Sequence, residues 1–526
     1  MKNFGLAELY FTKILLNKDG RYDASDPGDM PGISWVLSDD PFTPRPVEIF
    51  MREYYEPRLL QRLLAGEKLP PIKSIGDLNR TQPSVVISDI SHNGNTNRVS
   101  VDIEVSSQSQ GTVSAEKGGG VYDLRLFRNG QLVGSFPEEH GRIVTETGNG
   151  KRRINFKDIQ LSTVTDKNHV TFSAYAFNGD GVKSATYHKD FLLPTETVHN
   201  KRRAYIIAIG INAYENPAWD LRYAASDATA IDKIVKKQLV ETGILDEVIS
   251  IPLIARYETS AGSREGLEGP PVTAALVRNV LQRLSSRDDA SAKTDYDIPG
   301  INKIQPATPD DLLLITYSGH GLADKGEFYM FPYDIGPGDS REVDEALLHH
   351  AISSEELSAW SRHVDAGEIL MIIDACNSAA SVEGEGFKPS PMGSRGLGQL
   401  AYDKGMRILT ASQAESVALE SDQIRHGALT YALIREGLEA GLADNEPKDK
   451  RITAVEWLRF GMSRVPNLYG EIRSGEVASA GRGKVIRLSG DQDDLKKVDV
   501  QQPGLFDFNK LGRETVISLT GERSSF

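Results

Sequence analysis

Two long apolar runs in the second half of the chain lack the alternation of polar and apolar residues that a half-exposed strand shows. The first run belongs to DLLLITYSGHG, residues 311–321, and the second to EILMIIDACNS, residues 368–378. Such runs are typical of strands that a parallel sheet buries on both faces. Each run ends in small and polar residues, and open α/β sheets place ligand chemistry beyond the carboxyl ends of their strands. We therefore expect a functional site at these two strand ends.

The segment between the two runs predicts a helical crossover. It contains ISSEELSAWSRH, residues 352–363, in which Ser353 and Glu356 have the spacing of a capping box at a helix start. A helix between two parallel strands returns the chain to the same edge of the sheet. The two strand ends, which carry His320 and Cys376, are therefore expected to lie next to each other.

Strand-like and helix-like segments alternate through the rest of residues 200–490. The pattern predicts strands at 203–214, 246–254 and 405–413 and helices at 221–240, 273–287, 426–441 and 452–465. Alternation of this kind predicts an α/β domain, built on a mostly parallel sheet with helices on both faces.

The segment 82–194 has a different pattern, with short runs that alternate or are rich in β-branched residues. Asn129-Gly130 lies between two such runs and predicts a two-residue hairpin turn. The number and length of the runs predict an all-β, immunoglobulin-like sandwich. We expect this domain to act in spacing, docking or recognition, because nothing in it suggests catalysis.

The two flanking segments carry weaker patterns. Residues 1–80 combine a loop rich in Asp, Gly and Pro with two short amphipathic helices between 47 and 66, which are interrupted near Pro57. We interpret this segment as a short helical and loop connector. Residues 491–526 are expected to form a C-terminal extension laid on the surface.

Cys376 is the only cysteine among 526 residues, so the chain can form no internal disulfide. A lone thiol at a strand end is a small core residue, a bystander or a nucleophile. A lone histidine in a glycine turn, such as His320, is more often a capping or surface residue. Their occurrence together at the ends of neighbouring buried strands favours the geometry of a Cys/His hydrolase.

The two motifs that carry these residues, YSGHG and DACNS, resemble those of the caspase-like cysteine peptidases. Caspases have their histidine about 50 residues before the cysteine, and 56 residues separate His320 from Cys376. The chain lacks the animal caspase signature Q-A-C-[RQG]-G, and DACNS is more similar to metacaspases and their bacterial relatives. The resemblance covers roughly residues 200–490. Part of 1–80 also resembles the connector to a sensor module in some large bacterial relatives, although a packing arm is the simpler interpretation.

This resemblance implies roles for the residues of both motifs. His320 and Cys376 would form a catalytic dyad, in which the thiolate attacks a peptide carbonyl and the imidazole protonates the leaving amine. The backbone N–H groups of Gly321 and Cys376 would hold the oxyanion. No third residue that would complete a catalytic triad can be named from the sequence.

The resemblance also implies a pocket for a basic side chain, formed by Asp227, Ser318 and Asp374. The match is weakest at Asp227, because YAASDA lacks the cysteine that often stands three residues before that acid. Two carboxylates in one pocket favour a guanidinium, which pairs bidentately, over an ammonium, and they exclude an acidic side chain. We therefore expect the partner to be a protein substrate that is cut after arginine, then lysine.

The stretch after the nucleophile, residues 379–398, is rich in Gly, Ser and Pro and is expected to form a loop. Caspase-like proteins often have a cut linker at this place. Arg395 is its best basic site, because Lys388 is followed by proline, and self-cleavage after Arg395 is one hypothesis. The alternative is a loop that simply shapes the cleft.

Composition narrows the range of partners. The net charge of −14 argues against general nucleic-acid binding, and no apolar run reaches the roughly 18 residues of a membrane span. No metal-ligand spacing is present, so no metal or other cofactor is expected, and calcium dependence stays open. A nucleophilic thiolate needs a reducing compartment, which favours the cytoplasm.

The resemblance also implies a regulated bacterial protease of a signalling or defence pathway, with an upstream activating protein or sensor as a further partner. The alternative is a catalytically silent caspase-like scaffold that acts through the β domain.

Overall fold

The computed structural model describes most of the chain, in two compact units, Met1–His199 and Asn200–Phe526. None of its helices is long and apolar enough to cross a membrane, within the residues described. The described residues are 5–9, 12–24, 30, 32–64, 69–94, 96–107, 119–137, 143–145, 151–164, 168–194, 200–258, 265–285, 296–324, 326–339, 343–377, 394–411, 420–421, 426–474, 477–478, 485–486, 503–510 and 514–521.

The N-terminal part of the first unit contains more strands than its sequence pattern indicates. Its short helices are a 3-10 turn at Val47–Phe50, α1 (Met51–Tyr54) and α2 (Leu59–Leu64), with the predicted interruption near Pro57. The expectation of a helical connector over 1–80 therefore holds only for this part. The strands are too short for hydrophobic periodicity to distinguish them from helix. They form a three-stranded sheet and a hairpin: β1 (Gly5–Leu9), β2 (Thr12–Leu16), β3 (Tyr22–Ala24), and β4 (Ser34–Leu37) with β5 (Asp40–Pro46).

Two antiparallel sheets share one hydrophobic core in the rest of the first unit. Alternate residues of facing strands, such as Val101 and Phe172, meet in this core. Asn129 and Gly130 both have positive φ and form the predicted hairpin turn. The first sheet contains β6 (Ser84–His92), β7 (Arg98–Ser106) and β11 (Lys151–Gln160), and the second contains β8 (Val121–Arg128), β9 (Gln131–Phe136), β10 (Ile143–Thr145), β12 (His169–Phe177) and β13 (Tyr187–Leu192).

The second unit is built on a large mixed sheet whose five central strands are parallel. Their order is β15 (Glu247–Glu258), β14 (Arg203–Ile211), β17 (Leu312–Asp324), β20 (Glu368–Asn377) and β21 (Arg407–Thr410). Antiparallel strands extend this sheet: β16 (Glu265–Glu268), β18 (Glu327–Met330), β19 (Ile352–Ser353) and β27 (Gly504–Asp507). Short pairs lie outside it: β22 (Glu420–Ser421) with β23 (His426–Gly427), β24 (Arg451–Thr453) with β28 (Val516–Leu519), and β25 (Val477–Ala478) with β26 (Val485–Ile486).

Helices cover both faces of this sheet, which confirms the predicted α/β architecture. One face packs on α4 (Ala274–Arg283), α6 (Ser354–Ser361) and α7 (Arg395–Lys404), and the other packs on α3 (Ala224–Thr242), α8 (Ala428–Tyr431) and α9 (Ala454–Ser474). The capping box of Ser353 and Glu356 is formed at the start of α6, as predicted. A shorter helix, α5 (Glu345–Leu348), precedes α6, and a π-helical segment, Ala432–Glu439, continues α8.

Residues 491–526 are expected from the sequence to lie on the surface, but the two described parts, 503–510 and 514–521, contribute side chains to the core of the second unit. β27 pairs with β21 at the edge of the central sheet, and β28 pairs with β24. The buried guanidinium of Arg407 explains why this segment is fixed. Its nitrogens lie 2.7 Å from Glu368, 2.8 Å from Asp507 and 2.5 Å from Glu514. A buried cation needs such partners, and two of the three carboxylates come from the C-terminal segment.

Candidate active site

The structure aligns the two sequence motifs on neighbouring strands. β17 and β20 are parallel and in register from Leu312 opposite Glu368 to Gly321 opposite Asn377, so His320 and Cys376 are Cα partners. The predicted adjacency of the two strand ends is therefore confirmed. The expected turn around His320 is instead part of a strand, because β17 continues to Asp324 and pairs there with β18.

The imidazole of His320 is held by a backbone carbonyl and enclosed by aromatic rings. Its Nε2 atom lies 2.8 Å from the carbonyl oxygen of Trp219. A carbonyl can only accept, so Nε2 carries the proton and Nδ1 bears the lone pair in the neutral ring. The rings of Tyr214 and Trp219 have their centroids 5.3 Å from the imidazole, and Phe331 also packs on it. The ring is therefore fixed in both orientation and tautomer.

Two tyrosine hydroxyls hold the backbone of the histidine motif. The backbone N–H of His320 donates to the hydroxyl of Tyr214 over 2.9 Å, and the hydroxyl of Tyr317 donates to the His320 carbonyl. A Cβ at Gly319 would lie 2.8 Å from one hydroxyl and 3.1 Å from the other. Glycine is therefore required at 319 so that both hydroxyls can approach the backbone.

Gly321, the predicted oxyanion residue, lies within β17 opposite Asn377 of β20 and Met330 of β18. A Cβ there would lie 2.7 Å from the ring of Phe328 and 3.2 Å from the Cβ of Ala375. Close packing gives a structural reason for this glycine, and its role toward an oxyanion stays a prediction.

The start of α3 brings Asp227 to the carboxyl end of the sheet. At Gly210 near the end of β14, an added Cβ would lie 2.6 Å from the Cβ of Ala228 and 2.8 Å from the Ala224 carbonyl. This close contact sets the first turn of α3, which contains Asp227, directly on the strand end. Asp227 is buried, with 4 % of its surface exposed.

Asp374 and Asp227 flank Gly427. An added Cβ at Gly427 would lie 2.7 Å from Oδ2 of Asp374 and 3.3 Å from Oδ2 of Asp227. Oδ2 of Asp374 also accepts a 2.7 Å hydrogen bond from the hydroxyl of Thr430. The structure thus brings together the two acids that the sequence places 147 residues apart.

His426 is a further member of this acidic cluster. Its Nδ1 lies 2.8 Å from Oδ1 of Asp227, and the backbone N–H of Gly427 donates to Oδ2 of Asp227 over 3.1 Å. His426 is itself buried, with 8 % of its surface exposed. One short segment, β23, therefore contacts both oxygens of Asp227.

Burial and the proximity of two carboxylates raise the pKa of Asp374 to about 7. Desolvation is the largest cause and repulsion from Asp227 the second, while the hydrogen bond from Thr430 acts in the opposite direction. Near neutral pH this carboxyl group consequently exchanges readily between its acid and its ionised form.

Ser318 completes the predicted pocket. It is the register partner of Asp374 and is 1 % exposed. Its hydroxyl has no hydrogen-bond partner among the residues that the structure describes. A buried hydroxyl without a partner is unfavourable by about 1–3 kcal/mol, so this position would gain from a ligand that bonds to it.

Arg395, the predicted processing site, is the first residue of α7 rather than part of a loop. Ser394 caps this helix, and its hydroxyl and the N–H of Gly396 both donate to the carbonyl of Gly326, over 3.1 Å each. Most of the predicted loop, 378–393, lies outside the described residues. The Arg395–Gly396 bond would therefore need local opening of the helix before a protease could bind it.

Two features of the site could not be found from the sequence. Trp219 acts through its carbonyl oxygen, and a backbone group leaves no signal in residue type. His426 falls within HGALTYALIREGLEAG, which its periodicity predicts as helix, but the helix begins only at Ala428. The glycine at 427 was the one available signal, because it weakens a helix and permits close approach.

Within the described ranges, no group of three or more His, Cys, Asp or Glu side chains could hold a metal ion. Comparison with protein families and with curated proteins found no match to this chain. The geometry and chemistry of the residues therefore carry the functional argument.

Proposed function

We propose that this protein is a caspase-like cysteine endopeptidase that hydrolyses peptide bonds after arginine and, less efficiently, after lysine. The observation that carries the proposal is the register of β17 and β20, which makes His320 and Cys376 partners at the carboxyl ends of two buried parallel strands. The order of the parallel strands and the helices on both faces suit a caspase-like domain. The two-sheet core of the first unit suits an immunoglobulin-like sandwich.

In the proposed reaction, the thiolate of Cys376 attacks the carbonyl carbon of the scissile bond. The oxyanion that forms would accept hydrogen bonds from the N–H groups of Gly321 and Cys376. The imidazolium of His320 then gives its Nδ1 proton to the leaving amine, and the C–N bond breaks to leave a thioester. Water attacks this thioester while Nδ1 takes its proton, the C–S bond breaks to release the acid, and the thiolate and the imidazolium are restored.

The carbonyl of Trp219 would support both proton transfers. Because its oxygen lies 2.8 Å from Nε2 and accepts the Nε2 proton, the lone pair is already on Nδ1 and no ring flip is needed. It also stabilises the imidazolium, since a carbonyl dipole faces the ring charge. This contact takes the orienting role that a third side chain has in many triads.

Preference for arginine is supported by the cluster of Asp227, Asp374 and Ser318. Two close carboxylates repel each other, and a guanidinium would relieve that repulsion while donating to several oxygens at once. Lysine offers one compact charge and suits the cluster less well. An aspartate side chain would add a third negative charge and should be excluded.

The test combines covalent labelling with peptide hydrolysis. A peptidyl-arginine chloromethyl ketone should add one equivalent to the wild-type protein and none to Cys376→Ala, which lacks the only cysteine of the chain. Fluorogenic peptides with Arg, Lys or Asp before the cut should be hydrolysed in that order. Cys376→Ala and His320→Ala should abolish hydrolysis, whereas His349→Ala, at an exposed histidine, should not.

Each contrary result has a distinct meaning. Hydrolysis that persists in Cys376→Ala would refute the dyad. Labelling with a preference for aspartate or an apolar residue would refute the pocket alone. Absence of both labelling and hydrolysis would favour the silent scaffold.

A further inference from the structure

We propose that His426 is an internal occupant of the acidic pocket formed by Asp227, Ser318 and Asp374. Its imidazole pairs with Asp227 at the place where the guanidinium of a substrate would pair, and the substrate must displace it. This inference rests on the proposed preference for basic residues. It adds a residue that sets the affinity of the pocket and makes entry a competition rather than a simple association.

Both carboxylate oxygens of Asp227 already accept a hydrogen bond from β23. Nδ1 of His426 lies 2.8 Å from one carboxylate oxygen, and the N–H of Gly427 donates to the other over 3.1 Å. Bidentate recognition of a guanidinium uses both oxygens of a carboxylate. In this arrangement each oxygen of Asp227 already accepts one hydrogen bond from β23, and a bidentate guanidinium would have to compete with both contacts.

The backbone at Gly427 lies close to both carboxylates. The absent Cβ would lie 2.7 Å from Oδ2 of Asp374 and 3.3 Å from Oδ2 of Asp227. The chain therefore passes directly between the two carboxylates, with no room for a side chain. A ligand that contacts both acids would need the same space, so His426 and Gly427 and the ligand exclude one another.

The cluster of acids and His426 lies in a buried environment. Asp227, Asp374 and His426 are all buried, and a buried carboxylate needs a donor or a cation close by. His426 supplies that donor to Asp227, whereas the hydroxyl of Ser318 beside Asp374 has no partner in the described structure. The pocket is thus only partly satisfied by its internal groups, and a ligand with several N–H donors would satisfy it better.

A competition of this kind lowers the affinity of the pocket for every ligand that fills it. Each ligand must release the imidazole first, which costs all of them the same free energy, so the ratio between two ligands is set by their own contacts. A neutral side chain offers too little to release His426. A guanidinium offers more aligned donors than an ammonium and keeps that advantage.

The experiment measures binding of small basic probes in a protein that cannot turn over. Calorimetry with agmatine, which carries a guanidinium, and with cadaverine, which carries ammonium groups only, would compare Cys376→Ala with the double variant Cys376→Ala/His426→Ala. Removal of a charge-assisted contact that competes with the ligand should tighten agmatine binding by about tenfold or more. It should tighten cadaverine binding by the same factor, so the ratio between the two probes should stay unchanged.

Controls separate this role from a structural one. His349→Ala in the same background removes an exposed histidine and should leave both affinities unchanged. His426→Asn keeps a small hydrogen-bonding side chain and replaces His426→Ala if circular dichroism shows that the alanine variant does not fold.

The outcomes are distinguishable. Equal agmatine affinity with and without His426 would overturn the inference and leave the basic pocket standing. Weaker binding in His426→Ala would also overturn it, since His426 would then order Asp227 for the ligand. No agmatine binding in any variant would overturn both the inference and the preference for arginine, while covalent labelling of Cys376 would still decide the dyad independently.

Discussion

Replacement of Asp374 by asparagine should stabilise the protein at alkaline pH and have much less effect at acidic pH. Asparagine retains the size of the side chain and a carbonyl oxygen that can accept the hydrogen bond from Thr430. It removes the one feature that burial and Asp227 disfavour, the negative charge. The variant therefore removes both the cost of burying the charge and its repulsion from Asp227.

The magnitude follows from the pKa. The pKa of Asp374 is raised from 3.8 to about 7 in the folded protein, so between these values the folded chain binds more protons than the unfolded chain. Stability contributed by this group consequently falls as pH rises through that window, and the loss is complete above pH 7. Each pKa unit corresponds to about 1.4 kcal/mol, which gives roughly 4 kcal/mol in total and about 2–3 kcal/mol between pH 5 and pH 8.

The assay is urea unfolding of wild-type protein and Asp374→Asn at several pH values from 5 to 8. Tryptophan fluorescence reports mainly on the second unit, which contains Trp219, Trp360 and Trp457 and thus three of the four tryptophans. The difference in free energy of unfolding between variant and wild type should increase by about 2–3 kcal/mol across this range. Asp339→Asn, at an exposed position, should change stability by less than about 0.5 kcal/mol throughout.

A difference that stays constant from pH 5 to pH 8 would refute the reasoning, because it would mean that Asp374 ionises as readily in the folded chain as in the unfolded one. A variant that loses stability as pH rises would refute it more strongly. That result would require favourable partners of the Asp374 charge, such as Thr430, to outweigh its burial and its repulsion from Asp227.

Three further predictions concern packing and processing. In urea titrations, Gly427→Ala should lower the free energy of unfolding by about 1–3 kcal/mol, since its Cβ would meet a carboxylate oxygen at 2.7 Å. The control Gly470→Ala lies in a helix with nothing within 4 Å of the added Cβ, and it should leave the free energy of unfolding unchanged or raise it by up to about 1 kcal/mol. Arg407→Met should lower it by about 3–5 kcal/mol, because a buried carboxylate loses its cation, and limited proteolysis should release the C-terminal segment sooner. If the active protein cleaves itself after Arg395, Ser394→Ala should accelerate the cut, because it weakens the helix cap by about 0.5–2 kcal/mol. Mass spectrometry would follow the fragments, and cleavage elsewhere or at an unchanged rate would contradict this prediction.

The parts of the fold that the sequence predicted are those with long, regular patterns. The apolar runs before His320 and Cys376 became β17 and β20, and the capping box at Ser353 marked the start of α6. These features are local, because burial on both faces or a three-residue hydrogen-bond spacing is visible within a single segment. The meeting of Asp227 with Asp374 followed only from the resemblance, since no local pattern relates a helix start to a strand end so far along the chain.

The parts that were missed depend on distant partners. His426 pairs with a residue 199 positions away, so its contact has no signature within the surrounding sequence. The strands at 504–507 and 516–519 are four residues each and are stabilised by pairing to β21 and β24. Pro466 shows the opposite error, because a proline predicts a helix end and α9 nevertheless continues to Ser474.

The attachment of β27 and β28 has a consequence for how the protein is made. A ribosome that has just synthesised the nucleophile strand still has to add more than a hundred residues before Asp507 and Glu514 can reach Arg407. At ordinary translation speeds this interval is roughly 7–30 s. During it the nascent chain already contains both His320 and Cys376, but the edge of the sheet beside β21 is open. Maturation of the second unit should therefore be tied to completion of residue 519, because β27 and β28 can pair with β21 and β24 only after they are made.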